Sequence, residues 1–350
     1  MSTADARLAL LRDWLTDDLH WPLVRLEPAS ADASFRRYFR AWHRDGETRV
    51  VMDAPPGKED IRPYLKVTQL LERCGVHVPH IDAVDEARGF LLLEDLGGTH
   101  LLARLKAGGD VDALYGAALD ALASIQLAPP ALSAELPPYD RAVLEREMQL
   151  LPEWFCARHL QLTADPVRDA LLARTMDFLV REVLAQPRVL VHRDYHSRNL
   201  MVLEPGGIGV LDFQDALAGP LAYDLVSLLK DCYIAWPRDR VEGWVASYRE
   251  KIRDSGLVDG VSDTQFLRWF DIVGLQRHLK VLGIFARLWY RDGKSGYLAD
   301  LPLTLEYVRD TAHRYPELRE FAAWVDAVLV PGLPAANSRE AQRIAVQTGS

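Results

Sequence analysis

The chain has 350 residues, 49% of them hydrophobic and 26% charged, which suits one large domain or two lobes with a sizeable core. Its formal net charge of −9 argues against a nucleic-acid partner. Cys74, Cys156 and Cys232 offer no paired spacing and fit reduced thiols in a cytoplasmic protein. Charges at Asp5, Arg7, Arg12, Asp13, Asp17 and Asp18 leave no room for a signal peptide, and no apolar run approaches the ~20 residues that span a bilayer, so no membrane partner is expected.

Leu8, Leu11, Leu15 and Leu19 share one face and predict an amphipathic helix over 4–19. "ASFRRYFRAW" and "TRVVMDA" predict two strands joined at "HRDGE". Residues 63–74 predict a helix stopped by Gly75, and "GFLLLEDLGG" predicts a short buried strand entering a Gly-Gly loop. From about Asp110 the pattern is helical, with helices expected over 110–126, 139–157, 164–186, 222–235, 238–254, 263–291 and 303–328. The strand signals of this half lie between Val189 and Asp212. The polar stretch from Pro331 reads as a loosely held tail. The expected fold class is α+β, with a small mixed nucleotide-binding lobe over 1–95, a large helical catalytic lobe over 96–330 and a tail over 331–350.

The stretch "VLVHRDYHSRNLMVLEPGGIGVLDFQD", 189–215, crowds polar groups between two apolar runs. "LMVL" and "IGVL" form the arms of an expected hairpin, joined by the turn-forming "EPGG". Placing Leu203 opposite Ile208 puts Asn199 opposite Asp212, with Cβ atoms roughly 5 Å apart. An amide oxygen and a carboxylate at that distance can share one cation, and oxygen ligands suit Mg²⁺. Asp194, in the loop that feeds the hairpin, can accept a proton from an attacking hydroxyl. Asp and Asn also favour strand ends and turns, so each residue alone has a purely structural reading.

"HRDYHSRN" followed by "LDF" resembles the catalytic loop and metal-binding strand end of the protein-kinase-like superfamily. The nearer match is the aminoglycoside phosphotransferase and choline kinase group, which "LLLEDLG" and "AYDL" also resemble. The resemblance implies a bilobal kinase-like fold, ATP as co-substrate and Mg²⁺. It makes Asp194 the catalytic base, makes Asn199 and Asp212 metal ligands, and sets the backbone from Glu94 to Leu96 against adenine. His192 would orient the loop, and Asp224 would cap a helix and brace that loop. Asp215 stays open between a second cation and structure, and Arg193 between function and a surface ion pair.

The chain departs from the kinase pattern at the strand lysine and its helix glutamate. Met52 and Asp53 stand where the lysine is expected, with Arg49 and Lys58 the nearest cations, and the following helix offers Lys66 and Glu72. "SADASFRRYFR" takes the place of a glycine-rich loop, with Ser34 and Arg36 or Arg37 as phosphate donors. Strand alternation sends one of the two arginines inward and the other outward.

Only "FQDALAGPLA" separates Asp212 from the helix at Tyr223, which leaves room for a small-molecule acceptor rather than a peptide. The segment 276–297 sets Arg277, Lys280, Arg287, Arg291 and Lys294 against the single acid Asp292, a balance suited to a neutral or anionic acceptor. Gln276, Arg277, Lys280 and Arg291, with His196, are the candidate acceptor contacts; a long helix also carries basic residues on its wet face. "ASFRRYFR", "VMDAPP", "VHRDYHSRNLM", "DFQDA" and "GLQRHLKVLGIFARL" together resemble the anomeric amino-sugar kinases of bacterial cell-wall recycling. That resemblance implies an amino-sugar acceptor phosphorylated at its anomeric hydroxyl. An antibiotic phosphotransferase and a catalytically weak nucleotide-binding module are the alternatives. The oligomeric state is not legible in the sequence.

Overall fold

The regularly spaced leucines build the first element. In the computed structural model, which describes residues 3–31 and 35–348, helix α1 (Thr3–Asp13) continues into a π-helical turn over Trp14–Asp18. Leu11, Trp14 and Leu15 bury against Phe39, Ala41, Val51, Phe90 and Leu92 on one face of an antiparallel sheet. The strands are β1 (Leu23–Ala31), β2 (Arg37–His43), β3 (Thr48–Asp53), β4 (Ile81–Asp85) and β5 (Phe90–Glu94), in the order β1-β2-β3-β5-β4. The sequence reading missed β1 and β4, the two edges. Pro28 lies at an irregularity of β1, which an edge strand tolerates because a proline there need not remove a ladder hydrogen bond. Side chains alternate across a strand, so Tyr38, Arg40, Val50 and Leu93 face away from α1 and line a cavity of about 750 Å³.

The chain divides into two compact units, Met1–Ala118 with Arg198–Asp215, and Leu119–Ser197 with Ala216–Ser350. The first also holds α2 (Arg62–Arg73), α3 (Leu101–Lys106) and the hairpin of β7 (Leu200–Val202) and β8 (Ile208–Val210). Gly75 follows α2 with φ +73°, in the left-handed region where glycine ends a helix without a Cβ penalty.

In the second unit β6 (Arg188–Val191) pairs antiparallel with β9 (Leu217–Pro220), a strand not expected from the sequence. The helices are α4 (Val111–Gln126, which begins in the first unit), α5 (Pro130–Ser133), α6 (Arg141–Met148), α7 (Pro166–Leu184), α8 (Ala222–Leu229), α9 (Arg238–Lys251), α10 (Asp263–Asp292), α11 (Leu301–Arg314), α12 (Arg319–Trp324) and α13 (Val330–Thr348). Ser262 caps α10 by accepting from Gln265 N at 3.1 Å, and most of the helix between Phe266 and Trp289 is buried. No helix among the described residues is long and apolar enough to cross a membrane.

Three expectations are corrected. The helix expected over 222–235 stops at Leu229, and the polar segment after it enters the site described below. The helix expected over 303–328 breaks at Tyr315, which precedes Pro316 and takes extended backbone because proline disfavours the helical region for the residue before it. The stretch expected to be a loose tail is α13. It is held by Trp289 Nε1, which donates to Glu340 Oε2 at 2.8 Å, and by a 2.9 Å hydrogen bond between His159 Nε2 and Asn337 Oδ1.

Candidate active site

In the first unit the hairpin forms with a register one residue away from the expected one. Val202, not Leu203, pairs with Ile208, because Leu203 N–H bonds Gly207 O and so joins the turn. Asn199 O therefore accepts from Leu211 N, and Asp212 is not directly opposite Asn199. Asp212 takes φ +60°, a left-handed conformation that costs a non-glycine residue about 1–2 kcal/mol. Its Oδ2 still lies 3.4 Å from Asn199 Nδ2. Gln214 Nε2 donates to Asp212 Oδ1 at 2.9 Å and lies 3.4 Å from Asp215 Oδ2. The Asn199 amide turns its nitrogen to this carboxylate; with the amide turned over, one carboxylate and one amide oxygen, half-buried beside the cavity, would fit Mg²⁺, an ion that takes its other ligands from water and phosphate.

The two arginines separate as alternation requires. Arg36 Nη2 lies 3.4 Å from Asp212 Oδ1. Arg37 points to the α1 face, where its Nε and that of Arg7 each donate at 2.9 Å to Asp53, which is 0% exposed. Arg37 is thereby corrected from phosphate donor to partner of a buried carboxylate. Ser34 lies outside the described residues. Met52, where a lysine was expected, is buried, and Lys58 Nζ sits 4.8 Å from the Phe35 ring centroid rather than lining the cavity.

Glu94, Asp95 and Leu96 line the cavity. The Glu94 carboxylate is engaged by His77 Nε2 at 3.0 Å and His80 N at 3.2 Å, and the Glu94 N–H bonds His80 O at 2.8 Å. Arg40 Nε donates to Asp95 Oδ2 at 2.6 Å and Arg40 Nη2 to Gly97 O at 2.7 Å, so β2 pins this segment. Gly209 allows its close packing, since a Cβ there would meet Leu96 Cδ1 at 2.6 Å. Arg40, His100, Lys106 and Arg198 also line the cavity and were missed. Arg40 was within reach of the strand pattern, because it follows Arg36 and Tyr38 at spacing two.

In the second unit the loop after β6 is held from below. Asp224 Oδ2 accepts from His192 N at 2.6 Å and its Oδ1 from Arg193 N at 3.0 Å. Asp224 lies within the first turn of α8 and does not cap it, since the N-cap position is Leu221. Burial pushes its pKa up to about 7 even though both N–H bonds favour the charge. His192 Nδ1 accepts from Asp194 N at 3.2 Å. Asp231, freed by the early end of α8, accepts from Ser197 N at 3.0 Å, a brace that no local sequence pattern announced.

Arg193 has φ +76° and donates from Nη2 to Glu147 Oε1 at 2.5 Å. Lys280 Nζ lies 3.0 Å from the same oxygen, and Tyr139 OH donates to Oε2. Burial works against the charge of Asp194, but Lys280, His196, Arg193 and Arg277 outweigh it and hold the carboxyl below the usual carboxylate range. Asp194 is therefore ionised at neutral pH. Lys280 and Arg277 come together with Asp194, as does His196. Arg291 does not: it is exposed in the last turn of α10, paired with Asp292 at 2.8 Å. Gln276 is 0% exposed, and neither of its amide atoms has a hydrogen-bond partner among the described residues.

The antiparallel sheet, the braced loop carrying an ionised aspartate and the Asn–Asp hairpin define a kinase-like phosphotransferase, and the chain belongs to the phosphotransferase enzyme family, which matches residues 25–260. It is 49% identical over 326 residues to an N-acetylmuramate/N-acetylglucosamine kinase of Pseudomonas aeruginosa, covering 90% of this chain and 95% of that one. A protein of the same description from Neisseria meningitidis is 46% identical, covering 88% and 92%. Among solved structures, choline kinase from Streptococcus pneumoniae shares the fold with a TM-score of 0.61 at 13% identity, covering 87% of this chain and 99% of that one. An ADP-bound aminoglycoside phosphotransferase matches with a TM-score of 0.57 at 15% identity, covering 87% and 98%.

Proposed function

We propose that this enzyme transfers the γ-phosphoryl group of ATP to the anomeric hydroxyl of N-acetylmuramate and N-acetylglucosamine, in the recovery of cell-wall sugars in the cytoplasm. The observation that carries this reading is the setting of Asp194, an ionised carboxylate among four basic side chains, in a chain nearly half identical to kinases named for these two sugars.

In this reading the adenine lies in the cavity against the backbone from Glu94 to Leu96. Arg36 meets the phosphates and stands in for the strand lysine. Asn199 and Asp212 would hold Mg²⁺, which supplies charge neutralisation on the phosphates. Asp194 hydrogen-bonds the acceptor hydroxyl. A carboxylate with a lowered pKa is a weak base, so it chiefly aims the oxygen and takes the proton late, as a loose phosphoryl-transfer transition state permits. The anomeric hydroxyl is the most acidic hydroxyl of a reducing sugar and suits such a base. His192 and Asp224 position the loop rather than touch substrate.

Mass spectrometry of products from a pooled set of amino sugars and aminoglycosides tests the reading. Phosphorylated N-acetylmuramate and N-acetylglucosamine are expected. Phosphorylated aminoglycoside with unchanged sugars would overturn it.

A further inference from the structure

The three cations of α10 named as candidate acceptor contacts are separated by their partners. The charge of Lys280 is answered within the protein by Glu147 at 3.0 Å, with Tyr223 OH at 3.1 Å. Arg291 is exposed and paired with Asp292. Arg277 differs. It is 4% exposed, and the hydrogen-bond acceptor its guanidinium meets among the described residues is the Cys232 thiol, 3.7 Å from Nη1. A thiol is a weak acceptor. Burial opposes the charge of Arg277, and the carboxylates that favour it, Asp231 and Asp194, act through space rather than through a hydrogen bond to its fork. Its planar fork of donors matches a carboxylate held in two parallel hydrogen bonds.

The surroundings of Arg277 suit a sugar. Cys232 is followed by Tyr233, whose ring meets His196 edge-on at 5.4 Å and Phe285 at 6.3 Å, and Phe285 meets Tyr297 at 5.3 Å. His196, Tyr233 and Tyr297 are half-buried, so this aromatic row keeps accessible ring surface. It begins two residues after Asp194 and joins α10 at Phe285. Arg277 is itself among the cations that hold Asp194 ionised, so it lies within electrostatic reach of the carboxylate that would aim the acceptor.

We propose that Arg277 binds the carboxylate of an acidic sugar acceptor and is the residue that distinguishes N-acetylmuramate, through its lactyl group, from neutral amino sugars. This rests on the function proposed above and adds the group that reads the acid. Phe285, Tyr233 and Tyr297 offer the ring contact common to both sugars, while Arg277 acts on the acid alone.

The test compares kcat/KM for N-acetylmuramate, its neutral lactyl amide and N-acetylglucosamine. Wild type should favour the acid over the amide. Arg277→Gln should lower that acid-to-amide ratio at least about tenfold, the worth of one charged hydrogen bond, with the amide-to-N-acetylglucosamine ratio held. Absolute rates fall for every acceptor, because Arg277 also acts on Asp194; a merely structural role would lower all three alike and leave both ratios in place. Cys232→Asp gives Arg277 a carboxylate inside the protein and should lower the same acid-to-amide ratio without removing the arginine. An acid-to-amide ratio that is unchanged in both variants overturns the assignment. A wild-type enzyme that phosphorylates neither sugar overturns the function on which the assignment rests, and the assignment with it.

Discussion

The guanidinium of Arg36 lies 3.4 Å from the carboxylate of Asp212, Nη2 toward Oδ1, while the next residue, Arg37, serves a buried carboxylate on the opposite face of the sheet. The two neighbours should therefore fail in different ways. Arg36→Ala should raise the KM for ATP about tenfold or more, the worth of a charged hydrogen bond to phosphate. Arg37→Ala should leave that KM near wild type and lower stability by about 1–3 kcal/mol, since Asp53 keeps only Arg7 of its two arginines. Steady-state kinetics and urea unfolding of both variants separate the roles. A silent Arg36→Ala would remove it from the phosphates.

Asp194→Asn should keep the fold and nucleotide binding and lose turnover by about 10²–10⁴-fold, the usual worth of a positioned base. Single-turnover kinetics beside ATP binding by calorimetry make the check. A kcat near wild type would take the role from Asp194.

Asp212→Ala should weaken Mg²⁺-dependent ATP binding more than Asn199→Ala, because a carboxylate neutralises charge on a cation whereas an amide offers only a dipole. Calorimetric titration of each variant with ATP, with and without Mg²⁺, tests this independently of turnover. Equal losses would mean that the carboxylate is not the dominant ligand.

The legible part of this molecule was its local part. Leucine spacing marked α1, the apolar run 90–93 marked the interior strand β5, and "HRDYHSRN…LDF" marked the loop and hairpin. The hairpin register failed by one residue because the turn absorbed Leu203, a choice that the four-residue "EPGG" does not advertise. The edge strands β1 and β4 were missed because proline and aspartate can occupy an edge. What the sequence could not display were partners far apart in the chain. Glu147 joins Arg193 and Lys280, and Asp231 joins Ser197, across separations that no periodicity spans. The basic content of 276–297 was legible, but which of its charges were already compensated was not.

Acid should loosen the second unit through two buried histidines. Burial holds His159 and His278 neutral, lowering both below the usual value of about 6.5. The unfolded chain takes up protons there near pH 6.5 while the folded protein does so only lower. Their stability contribution is thus complete above about pH 6.5 and is lost as pH falls through the folded values. Asp224, raised by burial to about 7, works in the opposite sense over part of the same range, so the informative comparison is wild type against variant. His159→Gln should flatten the slope of the urea midpoint below about pH 6.5, with hydrogen exchange in α13 reporting the same change because His159 holds Asn337. Parallel slopes in wild type and variant would contradict it.

Phosphorus NMR of the products from N-acetylglucosamine and its methyl glycoside decides whether the phosphoryl group goes to the anomeric oxygen. A sugar 1-phosphate from the free sugar is expected, and no product when the anomeric hydroxyl is blocked. A phosphorylated methyl glycoside, or a free-sugar product carrying its phosphate on any other hydroxyl, would contradict it.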